Sequence, residues 1–200
     1  MMAAEDNKNI PPGVGDEKKP PEKKTAPPPK KPDFDEEKLR REVPSLPLQK
    51  LSERFPESIE EVSYYAGEVI IRVPKEKFLD ICSFLKEDSE LEMDYLSCIS
   101  GIDYPNREKR FDLVYHIYSI KKNHRLTLKI SVAEGESAPS VTTVWKTANW
   151  HERETYDLVG IFFSDHPALE RILTPENFEG HPLRKDFPLE GRADDHIRYR

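Results

Sequence analysis

Between residues 111 and 132, apolar and polar side chains alternate in two runs joined by a short polar link. No other feature limits the fold as much. Phe111, Leu113, Tyr115 and Ile117 share one face of the first run, and Leu126, Leu128, Ile130 and Val132 share one face of the second. A repeat of two places successive side chains on opposite sides of a strand. Each run is therefore a strand with one face for a core, and Lys121-Lys-Asn-His124 joins them as a hairpin connection. Their apolar faces require a second layer. Phe78, Ile81, Cys82 and Leu85 supply one, spaced as a single helical stripe behind Pro74, which suits a helix's first turn.

The flanking segments extend this pattern. Leu48, Leu51 and Phe55 mark one face of a short helix that Pro56 closes. Strands are predicted over 59–65, over a run carrying Val69, Ile71 and Val73, and over Leu91–Ile99, with a turn at Ala66-Gly67 between the first two. The predicted fold is α+β, a two-layer mixed β-sheet with helices on one face and an extended C-terminal arm. Three stretches follow: a disordered tail over 1–44, an α+β domain over 45–147, and a capped helix with an extended partner-binding arm over 148–200.

The tail is rich in Pro, Lys and Glu around Pro27-Pro-Pro-Lys-Lys-Pro32. Its apolar content is too low to offset chain entropy, and a solvated tether is a simpler reading than a ligand for proline-binding domains. At the other end, Val141, Val144 and Trp145 predict a short helix leading into a second one. That second helix has Asn149 as N-cap, Glu152 placed to close a capping box, and Gly160 at its C-terminal end. Pro167, Pro175, Pro182 and Pro188 then break the chain into extended pieces, and Phe178, Leu183, Phe187 and Leu189 along them call for burial by a neighbour.

Several chemistries are excluded or disfavoured. The net charge is −7. Residues 33–200 hold 24 Lys and Arg against 33 Asp and Glu, a balance that argues against nucleic acid, whose phosphates need clustered cations. No apolar run reaches a membrane span, and the first residues lack the features of a secretory or organellar leader, so membrane association is expected only through partners. Cys82 and Cys98 lack metal-ligand spacing and suit a reducing compartment. His151-Glu152 would need a second histidine at 155 to form a zinc helix, and that residue is Thr155. The remaining histidines share no short spacing; His166 and His181 directly precede proline, which holds them extended. Gly13-Val-Gly15 has no preceding strand to make it a nucleotide loop, and two cysteines cannot hold a standard iron–sulfur cluster. Neither cofactor, metal nor catalytic nucleophile is expected in this chain, which reads as an interaction subunit.

Three ordered blocks carry a family likeness: Glu-Arg-Glu-Thr-Tyr-Asp-Leu-Val-Gly-Ile-Phe-Phe over 152–163, His-Pro-Ala-Leu-Glu-Arg-Ile-Leu over 166–173, and Gly-His-Pro-Leu-Arg-Lys-Asp-Phe-Pro-Leu over 180–189. Together they resemble the 30 kDa subunit family of NADH-quinone oxidoreductase, respiratory complex I. The specific likeness spans about 145–189, with a looser match of element order back to about Leu46. The family implies a cofactor-free peripheral-arm subunit of a proton-translocating enzyme. It would scaffold the hydrogenase-like large subunit near the quinone site, with neighbouring iron–sulfur subunits and FMN and clusters held by partners. It also implies a peripheral position on the cytoplasmic side of the bacterial inner membrane.

The electron donor stays open, since ferredoxin- or F420-linked complexes and membrane-bound hydrogenases use homologous subunits. A free-standing adaptor acting through the proline-rich tail is the alternative of another class. The charges of Glu152, Arg153, Glu154 and Asp157 suit either a solvated helix face or a polar contact surface. Within the likeness they become candidates for the partner interface, together with His166, Arg171, His181, Arg184, Lys185 and Asp186.

Overall fold

The structure, a computed structural model, describes residues 44–190. The tail expected over 1–44 lies outside that range except for Pro44, as do residues 191–200 of the arm. The elements are α1 (Leu46–Arg54), a single 3-10 turn (Pro56–Ser58), β1 (Glu61–Tyr65), β2 (Glu68–Arg72), α2 (Lys75–Glu87), β3 (Tyr95–Asp103), β4 (Phe111–Ser119), β5 (His124–Val132), β6 (Ser137–Pro139), α3 (Ala148–Val159) and β7 (Phe162–Ser164).

Five strands form one sheet in the order β1-β2-β5-β4-β3. β2 and β5 run parallel while the other three pairings are antiparallel, so the sheet is mixed. Val69, Ile71, Leu113, Tyr115, Ile117, Leu126, Leu128, Ile130 and Val132 are buried. They meet Phe78, Ile81, Cys82 and Leu85 of α2, which are equally buried. The apolar face of the two alternating strands and the helical stripe thus form one core, with the Phe78 and Tyr115 rings 4.5 Å apart between them. The first hairpin turns through Ala66 and Gly67, both at positive φ, the geometry of tight turns whose twist suits paired strands.

α3 joins the same face over β3. At Gly101 a Cβ would lie 3.0 Å from Thr155 Cγ2 and 3.2 Å from both Val159 Cγ2 and Ile161 Cδ1, so the bare backbone lets the helix approach closely. Thr155 Oγ1 also reaches the carbonyl of Ile99 at 3.5 Å.

Three local expectations are corrected. The strand expected over Leu91–Ile99 begins only at Tyr95 and continues to Asp103. Leu91 and Met93 are buried in a turn instead, held by the Asp88 carboxylate on the N–H groups of Glu90 and Leu91 and by Met93 N–H on the Leu85 carbonyl. The helix expected around Val141–Trp145 is one turn in which Val144 and Trp145 both donate to the Val141 carbonyl. The capping box is absent: α3 starts at Ala148 after Thr147, and Glu152 turns to the core. A two-stranded parallel sheet of β6 and β7 adds to the expected elements.

Candidate docking site

The candidate site is built on the C-terminal half of α3. A helix leaves its last four carbonyls without intrahelical donors. Gly160 ends α3 at φ +79, the left-handed conformation in which glycine carries no Cβ penalty, and its N–H bonds the Tyr156 carbonyl. The arm supplies the other donors. Arg184 Nε donates to the Val159 carbonyl at 2.7 Å and Nη2 to that of Gly160 at 3.2 Å, while His181 Nδ1 lies 2.8 Å from the Asp157 carbonyl. Leu183 N–H closes on the Leu158 carbonyl at 2.9 Å. Cationic donors at a helix C-terminus also complement its dipole.

Asp157 holds the first part of the arm. Its carboxylate is fully buried. It accepts the N–H groups of Ile172, Leu173 and Thr174 at 3.0, 2.7 and 2.9 Å, the Thr174 hydroxyl, and Arg171 Nη1 at 2.8 Å. Burial by itself raises such a carboxyl, but these donors, with Thr174 foremost, hold it well below the usual carboxylate range. Arg171 continues to the Gly180 carbonyl at 3.0 Å, tying the two ends of the 171–180 loop together. His181 is held below the usual imidazole value, first by burial and also by the adjacent Arg184 and Arg171.

The arm's far end is clamped to the sheet. Arg110, with a fully buried Asp103 beneath it, makes bonds of 2.7 and 2.9 Å to that carboxylate. It also reaches Glu134 at 3.0 Å and Asp186 at 2.9 Å. Lys185 N–H donates to Asp103 at 2.8 Å, and Arg184 Nη1 reaches Glu134 at 3.1 Å. Arg110 holds the Asp103 carboxyl below its usual value.

Glu152 points the opposite way. One oxygen accepts Val141 N–H at 2.7 Å; the other is buried without a partner among the described residues and lies 4.0 Å from His166 Nε2. Burial pushes this carboxyl up to about 7, partly offset by the Val141 N–H and the Ser140 hydroxyl. His166 accepts Ala168 N–H at Nδ1, so its proton sits on Nε2 and faces the Asn149 carbonyl at 3.2 Å.

The ten candidate residues therefore divide. Asp157, Arg171, His181 and Arg184 converge at the end of α3 and bind the arm to its own chain; Glu152 and His166 meet in the interior. Arg153 bonds the Glu170 carbonyl at 3.1 Å and lies 5.1 Å from the Trp150 ring, while Glu154, Lys185 and Asp186 are exposed. The arm, expected to leave Phe178 and Phe187 to a neighbour, instead folds back on its own chain and stacks these two rings on each other at 5.8 Å. Large apolar side chains stand on the outside among these charges: Trp150, Phe162, Leu173 and Leu183 are 51–63% exposed and Leu189 fully so. Asp103, Arg110 and Glu134, which the sequence did not single out, belong to the site; their only trace was charge at the ends of β3, β4 and β5.

Gly160 is required twice over. A Cβ there would stand 2.3 Å from His181 Cδ2 and 2.7 Å from Arg184 Nη2. Gly160→Ala should displace both side chains and strain the left-handed backbone, lowering stability by roughly 1–3 kcal/mol. Urea denaturation checks this, and a change below about 0.5 kcal/mol would contradict the packing described.

The same fold occurs in a known respiratory assembly. A chain of the membrane-bound sulfane sulfur reductase, an archaeal respiratory membrane complex, shares it with a TM-score of 0.61 at 23% identity, over 71% of this chain and 84% of that one. The model of the respiratory-chain NADH dehydrogenase 30 Kd subunit family matches residues 71–193. An NADH-quinone oxidoreductase subunit from Roseiflexus castenholzii is 46% identical over 143 residues, covering 71% of this chain and 82% of that protein. Its counterpart from Rhizobium etli is 44% identical over 151 residues, covering 76% and 81%. The chain belongs to the 30 kDa subunit family of respiratory-chain NADH dehydrogenases. Among the described residues no helix is long and apolar enough to cross a membrane.

Proposed function

We propose that this chain is a peripheral-arm subunit of a proton-translocating NADH:quinone oxidoreductase that carries no cofactor and performs no chemistry itself. In this reading it scaffolds the hydrogenase-like large subunit near the quinone site, with neighbouring iron–sulfur subunits alongside. FMN and iron–sulfur clusters belong to those partners, and the chain sits on the cytoplasmic side of the bacterial inner membrane through them.

One observation carries this reading. Trp150, Phe162, Leu173, Leu183 and Leu189 stand out from an arm and helix end whose Asp157 carboxylate and last carbonyls are already bonded within the chain. A rigid surface with exposed large apolar side chains is the signature of a contact site, because such patches are rare on monomers. Arg153, Glu154, Lys185 and Asp186 form its polar margin; Asp157, Arg171, His181 and Arg184 hold it in shape.

Leu173→Asp with Leu183→Asp tests it. Both side chains are about 60% exposed, so the full chain should fold and melt as before. Its recovery with the enzyme from detergent-solubilised membranes should fall at least tenfold, and NADH:quinone reductase activity with it. Normal recovery of the double variant would refute this surface.

A further inference from the structure

The sheet has a second face, away from the helices, and its charges do not balance locally. Register places Glu61, Arg72, Lys129, Val114 and Ser100 in one row across the five strands. Arg72 is fully engaged: both terminal nitrogens reach Asp112 at 3.1 Å, Nε reaches Glu61 at 3.2 Å, and the Ser131 hydroxyl completes the set. Asp112 is buried, and besides Arg72 it receives Ser131 at 2.7 Å and Arg107 at 3.4 Å. Along the next edge Arg125 pairs with Glu68.

Lys129 is the exception. It lies on β5, the middle strand, directly beside Arg72, and no acidic side chain among the described residues is within ion-pair distance of it. Its half-buried side chain borders a hollow of about 590 Å³ with Ser63, Tyr64, Tyr65 and Ile70. No described helix covers this hollow, and Tyr65 on its rim is 56% exposed.

We infer that this sheet face is a second docking surface, and that its occupant is a protein segment placing a carboxylate on Lys129 and apolar side chains against Ile70 and Tyr65. A cation losing water at an interface needs an opposite charge. The nearby acids are already committed to arginines, so the counter-charge comes from outside. Nucleic acid is a poor fit, because Arg72 and Arg125 are neutralised within the chain and one lysine does not make a phosphate track. This goes beyond the arm surface and needs only that the chain sits in a multi-subunit assembly. Failure of the leucine variants would leave it standing.

Amine acetylation of Lys129, read by mass spectrometry, compares the full chain alone with the chain in the purified complex. The rate should fall at least tenfold in the complex, and carbodiimide should join Lys129 to an Asp or Glu of another subunit. Lys129→Arg should assemble normally, whereas Lys129→Glu should lower recovery in the complex at least tenfold without changing the melting temperature of the chain alone. Equal labelling in both states would overturn the inference. So would protection that nuclease removes, protection in the free chain that disappears when residues 1–43 are deleted, or cross-links only to a second copy of this chain.

Discussion

Replacing Asp157 with Ala should cost the folded chain about 3–5 kcal/mol, the range found when one partner of a buried charged pair is removed. The variant leaves the N–H groups of Ile172, Leu173 and Thr174 without their acceptor and removes the carboxylate that balances the Arg171 charge. Each buried donor stranded in this way costs on the order of 1–3 kcal/mol, and the arm can recover part of that only by peeling into water. Asp157→Asn should be nearly as damaging, since an amide turns donors toward donors. The wild-type carboxyl titrates below its usual range when folded. Its stabilisation is therefore complete above the ordinary carboxylate value and is lost as the pH falls toward the depressed one. Urea unfolding at pH 7 measures the effect, and a loss under about 1 kcal/mol would mean that Asp157 does not anchor the arm.

The second large effect runs the other way with pH. Glu152 is pushed from an ordinary 4.5 up to about 7 in the folded chain, chiefly by burial. Between those values the unfolded chain releases a proton that the folded chain retains. Stability is thus fully present below 4.5 and declines as the pH climbs through about 7, by about 3 kcal/mol in total. Glu152→Gln removes the titration while keeping an acceptor for Val141 N–H. The variant should melt roughly 6–12 °C higher than the wild type at pH 8 relative to their difference at pH 4.5. The charge of this carboxyl adds to burial in raising the Cys82 thiol on α2 and the Tyr115 hydroxyl on β4, and the His166 ring lies 4.0 Å away. Parallel stability curves from pH 4.5 to 8 would place the proton elsewhere.

What could be read in the sequence depended on how local the cause was. β4 and β5 were legible because the strand repeat puts Phe111–Ile117 and Leu126–Val132 on a single face, and α2 because four apolar residues fall on one helical stripe. The end of α3 was legible from Gly160, but its start was not. Asn149 and Glu152 have capping spacing, yet the unbonded N–H of Val141 claimed the Glu152 carboxylate, a demand made from outside the helix. β6 and β7 are three residues long, too short to leave a periodic trace. The prolines of the arm announced the absence of regular elements. They could not announce that Arg171, His181 and Arg184 return 14 to 25 residues to the carbonyl end of α3, since such pairings leave no pattern. Charges that the family likeness offered to a partner are, in good part, the means by which the chain fixes its own surface.

Hydrogen–deuterium exchange on the full chain, alone and in the complex, tests that self-made surface most directly. The amides of Ile172, Leu173, Thr174, Leu183 and Lys185 should already exchange at least about a hundredfold more slowly than unprotected amides in the chain alone, because each is bonded within it. Free exchange at these positions in the isolated chain, with protection gained only on assembly, would show that the partner builds the arm rather than meeting it ready-made.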